Sequence, residues 1–503
     1  MQSAPKKEKE PIKLTVPPFL TKLVKLYFPT QQEIRERAEM PEGRRRRKPS
    51  KQQIFKEYYL PTIILGLSLV LMLSFVIGAL SNAIDGAKLR REEEQQKAQQ
   101  ESLAAEQLAT EGVRLLERAE VLAKGYDYDG AIEVLDSYNG EMSAEMTAKR
   151  AEYVNAKSTL VEHQDPTLIP NLSFHVLIAD PTRAFKDQEL GGSYNRNFVT
   201  TTEFSKILDH LYLNGYVLVD FESITGCNTN ATGAEQYFPK SIYLPADKKP
   251  IMLTETMVNY FNYMIDGDGD QVADAKGDGF ASKLVIDANG DIKAEYVDEQ
   301  GQTSVGNYDL VPILEDFIKQ HPDFSYRGAR ATLAVTGDEG VFGYRTNTAV
   351  VASKGQDYFD QQVAGAKEVV QKLRDLGYNI ACYTYENKAY GKLSVQQIQA
   401  DLQSWAQQVT PVIGAVDTFV FAKVSNISDY TGNAFKVMYD SGFRYFIAHG
   451  NQPYTEVNST YVRQNRLMVT GENMQWYRDQ FNGLFDCAAI LEVNTRGEVP
   501  KSS

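Results

Sequence analysis

The residue types most able to do chemistry in this chain fall into two short runs and a scatter of histidines. The first run, "KKPIMLTETM" (248–257), brings an apolar strand up to Thr254 and then delivers Glu255, Thr256 and Met257 at the step from strand to loop. A catalytic loop often sits at a strand end of that kind, so Glu255, Thr256 and Met257 are candidate site positions. The second run, "DGDGDQVADAKGDG" (266–279), spaces Asp266, Asp268, Asp270 and Asp274 with glycine between them. That spacing lets a loop curl until several oxygens meet one hard cation, and calcium is the candidate. Binding would be weak, because Gln271 stands where calcium loops place glycine and no glutamate follows at the twelfth position. An acidic surface insertion is the alternative reading. The similar "DANGD" (287–291) lies between "KLVI" and "IKAEY" and reads as a hairpin turn.

Histidine and cysteine supply little more. His163, His175, His210, His321 and His449 include no pair three or four residues apart, and Cys227, Cys382 and Cys487 are too scattered for a zinc motif or a disulfide framework. His449 closes "FRYFIAHG" at the C-terminal end of a strand, where barrel enzymes build their sites. With Glu255 it would make a vestigial pair, too small to replace three metal ligands and a base.

The elements that must position these residues alternate from about residue 166 onward. "SFHVLIAD", "YVLVDFESI", "KPIMLTE", "ATLAVTG", "YNIACYTY", "VDTFVFAK" and "FRYFIAHG" read as strands; "TTTEFSKILDHLYLNG", "LVPILEDFIKQHP", "GAKEVVQKLRDLG", "VQQIQADLQSWAQQV" and "AFKVMYDSG" read as helices. Buried strands joined by crossover helices predict a parallel sheet, and about seven such units predict an α/β fold closed into a distorted (β/α) barrel over residues 166–503.

Upstream the composition changes twice. Residues 1–57 hold 15 Lys and Arg against 7 Asp and Glu, so the remainder carries −21 within a chain total of −13. A basic head on an acidic body argues against nucleic-acid binding. Between Glu57 and Asp85 runs the uncharged "YYLPTIILGLSLVLMLSFVIGALSNAI" (58–84), whose apolar core is about 31 Å long as a helix, a match to a bilayer's hydrocarbon. The predicted arrangement is a basic cytoplasmic tail (1–57), one transmembrane helix (58–84) and an extracellular remainder, since "GRRRRKPSKQQIFK" precedes the span and charge-balanced sequence follows it. Residues 85–165, rich in Ala, Glu, Gln and Leu, predict a helical stalk that stops at Gly125 and continues as a tetratricopeptide-like hairpin, with homodimerisation through the stalk as a possible use.

Several strings resemble the polysaccharide deacetylases of carbohydrate esterase family four, in particular a membrane-anchored clostridial branch: "FHVLIADPTRAF", "TTEFSKILDHLYLNGYVLVD", "LPADKKPIML", "HPDFSYRGARATLAVTG" and "YVRQNRLMVTGENM". The resemblance spans roughly Leu168 to Leu491. It implies a metal-dependent hydrolase in which a Thr-Phe-Asp-Asp-Gly motif supplies a base and a ligand and a His-x-x-x-His motif supplies two more ligands. Here the two Asp positions fall on Thr256 and Met257, and the two His positions on Tyr383 and Asn387, which leaves no ligand set for a catalytic zinc. The family's Pro- and Gly-containing cleft string corresponds to "FVFAKVSN", without either residue. The resemblance therefore implies a catalytically degenerate protein that binds cell-wall polysaccharide or peptidoglycan, or scaffolds envelope proteins. An active N-deacetylase with a rebuilt site and a calcium-dependent adhesion module are the alternatives. Tyrosines in "YFNYM", "YTY" and "NQPYTEVNSTY" are expected near the cleft, where ring faces stack on sugars.

Overall fold

The computed structural model describes residues 50–163 and 165–502; the expected basic tail lies outside the described residues up to residue 49. Two compact units result, divided after Gln107. In the first, Ser50 opens the helical segment with a capping box, its hydroxyl accepting from Gln53 N–H while the Gln53 side chain accepts from Ser50 N–H. The helix Leu60–Lys124 follows, and its apolar side chains from Ile63 to Ile84 are exposed, up to 83% at Phe75. It is long and apolar enough to cross a membrane.

The second unit begins within the same helix, at Leu108. Helices Tyr128–Asp136 and Ala144–Ser158 fold back so that Ala119, Ala131, Leu135, Met146 and Tyr153 share a small core. Gly125 ends the long helix, as its sequence position suggests, and a packing constraint reinforces it: a Cβ there would meet Ser325 O at 3.1 Å and Arg327 N at 3.2 Å. Arg327 N–H donates to Gly125 O, and its guanidinium lies 3.3 Å from Asp127. The hairpin is thus seated on the loop that leads into the barrel, and residues from Leu108 share one unit with it.

Seven parallel strands close the barrel, here numbered β1 (Asn171–His175), β2 (Lys249–Thr256), β3 (Thr332–Val335), β4 (Asn379–Cys382), β5 (Thr418–Val420), β6 (Tyr445–His449) and β7 (Val462–Met468). Each pairs with the next, and β7 returns to β1 through Leu467↔Leu172 and Met468↔Ser173. Helices Thr201–Leu213, Leu310–Gln320, Gln356–Leu376, Val395–Gln408 and Asn433–Asp440 cover the successive crossovers from β1 to β6. The last crossover has no helix: Thr455–Val457 runs antiparallel to the foot of β7 instead. This is the distortion in the barrel.

Two sequence expectations shift. "YVLVDFESI" forms only the strand Tyr216–Leu218, paired to the foot of β2, because Asp220 accepts from Ser223 N–H and turns Phe221–Ile224 into helix. The seventh barrel strand is Val462–Met468, a run whose two arginines hide its strand character.

Strand alternation sorts the walls. Leu172, Phe174, Leu253, Leu333, Ile380, Phe419, Phe446 and Leu467 face the outer helices, while Met252, Ala334, Ala381, Tyr383, Val420, Ile447 and Val462 fill the inside. A latch near the C-terminus closes the outer layer. Thr200 and Glu203 form the capping box of helix Thr201–Leu213, and Glu203 also receives Arg496 Nε at 2.6 Å and Nη2 at 2.5 Å, with both side chains fully buried. Arg496 further donates to the carbonyls of Asn195 and Phe198. Cutting a buried pair strands a charge, so Arg496→Ala is expected to cost about 3–5 kcal/mol in denaturant unfolding. Lys436→Ala, at an exposed pair with Asp440, is expected to cost less than about 0.5 kcal/mol.

Candidate functional site

The C-terminal ends of the strands form the barrel mouth, and strand register decides what enters it. His175 pairs with Thr256, and His449 with Arg466. Being in phase with the inward Met252 and Ile447, all four side chains point inside. Thr256 Oγ1 donates to Phe174 O at 3.0 Å and lies 2.8 Å from His175 Nδ1. With the hydroxyl proton spent on the carbonyl, His175 donates its Nδ1–H to Oγ1 and leaves Nε2 bare. His449 is held by its backbone, whose N–H and C=O each bond the Asn426 side chain at 2.9 Å.

Arg466 is the one fixed charge on the inward strand positions. It is 1% exposed, its Nη2 donates to Phe421 O at 2.8 Å, and its guanidinium carbon lies 5.4 Å from the Tyr383 ring centroid. Burial first, and the Arg466 cation second, push both His175 and His449 down to about 4, so each imidazole is neutral at pH 7.

The backbone around the mouth is unusual. Met257, Thr384, Asn387, Lys423 and Val424, all just beyond strand ends, have φ between 50° and 62°. Left-handed backbone costs an L-residue roughly 1–2 kcal/mol, and such residues gather at binding and catalytic sites. Asn259 stabilises the rim by donating to Thr336 O and Gly340 O and accepting from Thr336 N–H.

Glu255 does not join this mouth, which corrects the pairing with His449 expected from sequence. Thr254 and Thr256 face inward, so Glu255 between them faces outward, beside Phe174 and Leu333 in register. It is fully buried, and neither carboxyl oxygen has a hydrogen bond of good geometry. Asp309, ahead of helix Leu310–Gln320, accepts from Leu177 N–H and from the Tyr260 hydroxyl. Burial first, then the neighbouring Asp309 charge, hold the Glu255 carboxyl well above its ordinary range. A buried acid behind the barrel wall is a structural group of the outer layer.

The remaining positions of the degenerate motifs offer no metal cradle. Thr256 Oγ1 is committed to Phe174 O and His175, Met257 carries a thioether packed between the inner and outer cores, Tyr383 lies beside a guanidinium, and Asn387 sits on a left-handed loop. A divalent zinc would meet a fixed positive charge with no carboxylate on the inward strand positions to offset it, so these residues do not fit the metal. Elsewhere, Asp266, Asp268 and Asp274 each bring one carboxylate oxygen within 4.8 Å of the others, with Asp270 outside the group. Partial burial works against the Asp266 anion, but N–H groups of Gln271, Gly269 and Asp268 hold its carboxyl below the ordinary range.

Sequence reasoning missed Arg466 and a second feature on the barrel flank left bare by the missing helix. There Asn426, Ile427, Tyr430, Ala448, Tyr454, Arg463 and Asn465 line a pocket of about 360 Å³. The Arg463 guanidinium lies 4.9 Å from the Tyr430 ring centroid and 5.0 Å from that of Tyr454. Of the expected cleft tyrosines, Tyr383 is in the mouth and Tyr454 is on this flank. The visible signal was the alternation Val462, Gln464, Arg466 against Arg463, Asn465, which splits the run into two faces.

No family model and no curated protein matches the chain. Among solved structures, a deacetylase from Streptococcus pyogenes in complex with acetate is similar at 10% identity and a TM-score of 0.32, covering 61% of this chain and 94% of that one. A de-N-acetylase from Aggregatibacter actinomycetemcomitans is similar at 14% identity and a TM-score of 0.34, covering 60% and 95%.

The imidazoles give the mouth a pH signature. Folded values near 4 against an ordinary 6.5 mean that, below pH 6.5, the unfolded chain takes up protons that the folded chain refuses. Their contribution is full above pH 6.5 and is lost as the pH falls toward 4. Urea unfolding of His449→Gln across that range should therefore lose less stability on acidification than wild type does.

Proposed function

We propose that this chain is a membrane-anchored, deacetylase-like barrel that binds envelope glycan outside the cytoplasmic membrane and does not carry out metal-dependent deacetylation. The observation that carries the reading is Arg466: a buried fixed cation occupies the mouth in which a metal hydrolase of this kind needs acidic and imidazole ligands. The two histidines that remain there are not arranged as a pair on one strand, and no inward carboxylate is present on β1–β7 to act as base. Support for glycan comes from the flank pocket, where tyrosine rings, a guanidinium and two amides offer both stacking faces and donors for sugar hydroxyls. The Arg run before the apolar helix supports a cytoplasmic N-terminus and an external barrel.

The test uses the detergent-solubilised full chain with acetylated chitooligosaccharide and with peptidoglycan. Metal content well below one zinc per chain, no acetate release above a protein-free control with or without added zinc or cobalt, and co-sedimentation with peptidoglycan that Tyr454→Ala and Arg463→Ala reduce at least about tenfold are expected. Stoichiometric zinc with acetate release would overturn the reading. So would sedimentation that neither substitution changes.

The converging oxygens of Asp266, Asp268 and Asp274 favour one separable reading, a weak calcium loop. Millimolar calcium should raise the melting temperature of wild type but not of Asp268→Asn, and magnesium should not substitute. Equal shifts in the two proteins would leave only an acidic surface insertion.

A further inference from the structure

Arg496 and Arg466 are both almost wholly buried arginines, and their surroundings differ. Arg496 gives Nε and Nη2 to Glu203, Nη1 to Asn195 and a further Nη2 bond to Phe198 O. Arg466 gives one bond, from Nη2 to Phe421 O. Its Nε and Nη1 have no partner among the described residues, and no carboxylate pairs with it there. A guanidinium keeps its charge at any physiological pH, so burial without a counter-charge is costly and cannot be relieved by losing a proton.

The groups recorded against it are neutral or electron-rich without being anionic. Tyr383 offers a ring face, His175 and His449 neutral imidazoles, and Thr256 a hydroxyl already engaged. The buried acids Glu255 and Asp309 belong to the outer layer behind the strand wall. His175 and His449 are part-exposed at the strand ends, which puts the solvent side of the mouth next to them.

We propose that the barrel mouth binds a carboxylate, held by an unpartnered N–H of Arg466, Nε–H on one edge of the guanidinium or Nη1–H on the other, beside Tyr383. A monoanion matches the single fixed charge, and planar oxygens suit guanidinium donors. Two sources share that chemistry: a small free organic acid, and the carboxylate of an acidic sugar. The second would join this site to a glycan ligand. The first stands without the glycan reading.

The detergent-solubilised full chain is titrated with formate and with glucuronate, using formamide and glucose as uncharged controls and chloride as a simple anion. Saturable heat by calorimetry, and saturable shifts of the His175 and His449 ring protons with the same midpoint, are expected for at least one carboxylate and for none of the controls. Formate alone would identify a small free acid; glucuronate alone, an acidic sugar. Arg466→Met should remain folded by circular dichroism and weaken the response at least about tenfold, the loss expected for a charge-assisted hydrogen bond. Arg466→Lys should retain part of it, because the charge remains while the planar donor set is lost. The proposal is overturned if neither carboxylate binds, which would leave buried water as the partner of Nε and Nη1. Equal responses to carboxylates and chloride, or full retention in folded Arg466→Met, would overturn it too. If Arg466→Met does not fold, the ring-proton titration of wild type with carboxylates and controls decides alone.

Discussion

A closed ring of seven short strands gives each wall residue two directions, inward or outward, and almost everything else follows from that binary choice. It sends Leu172, Phe174 and Phe446 to the helices and Ala334, Ala381 and Ile447 to the interior. It also separates Glu255 from Thr256, two neighbours in sequence, by the full thickness of the wall. Because seven pairings lock the ring, no residue can change sides by a local slip without taking its whole strand with it.

Charge is distributed between the two sides in a correlated way. Outside the wall, buried acids and bases meet: Glu203 with Arg496, and Glu315 with Arg330 at 2.6 Å and with the Tyr378 hydroxyl at 2.8 Å. Glu255 lies instead beside a second acid, Asp309, and burial holds its carboxyl well above the ordinary range. On the inward strand positions the one fixed charge, Arg466, is positive, and the two imidazoles respond by staying neutral. Stability is therefore built into the outer layer, where polar groups are matched, while the mouth holds an unmatched cation and strained backbone at Met257, Thr384 and Val424.

Much of the architecture could be read from hydrophobic pattern, because most strands here are short apolar runs between amphipathic helices with clear caps. Thr200 with Glu203, Gly125 and the "DANGD" turn all stand where their residue types suggest. Val462–Met468 was harder: a strand with a polar inside and a bare flank has charge on both faces and no apolar alternation to detect. Tyr216–Leu218 misled for the opposite reason, being apolar enough for the barrel but cut short by the Asp220 cap. The site was less legible than the fold. Glu255 drew attention by its type, although alternation with Thr254 and Thr256 already pointed it away. Arg466 acquires meaning only from β1, β4 and β6, which approach it from positions up to some three hundred residues away in sequence.

The seam between β7 and β1 has a consequence in time. Its two paired positions, Leu467↔Leu172 and Met468↔Ser173, join the last strand of the ring to the first. A chain synthesised from its N-terminus has six strands and their helices in place while β1 still presents an unpaired edge, and no earlier segment can close it. The final latch at Arg496 comes later still. Folding of this barrel is thus gated by its C-terminal forty residues, and truncation there leaves an open, edge-exposed sheet prone to pairing with other chains.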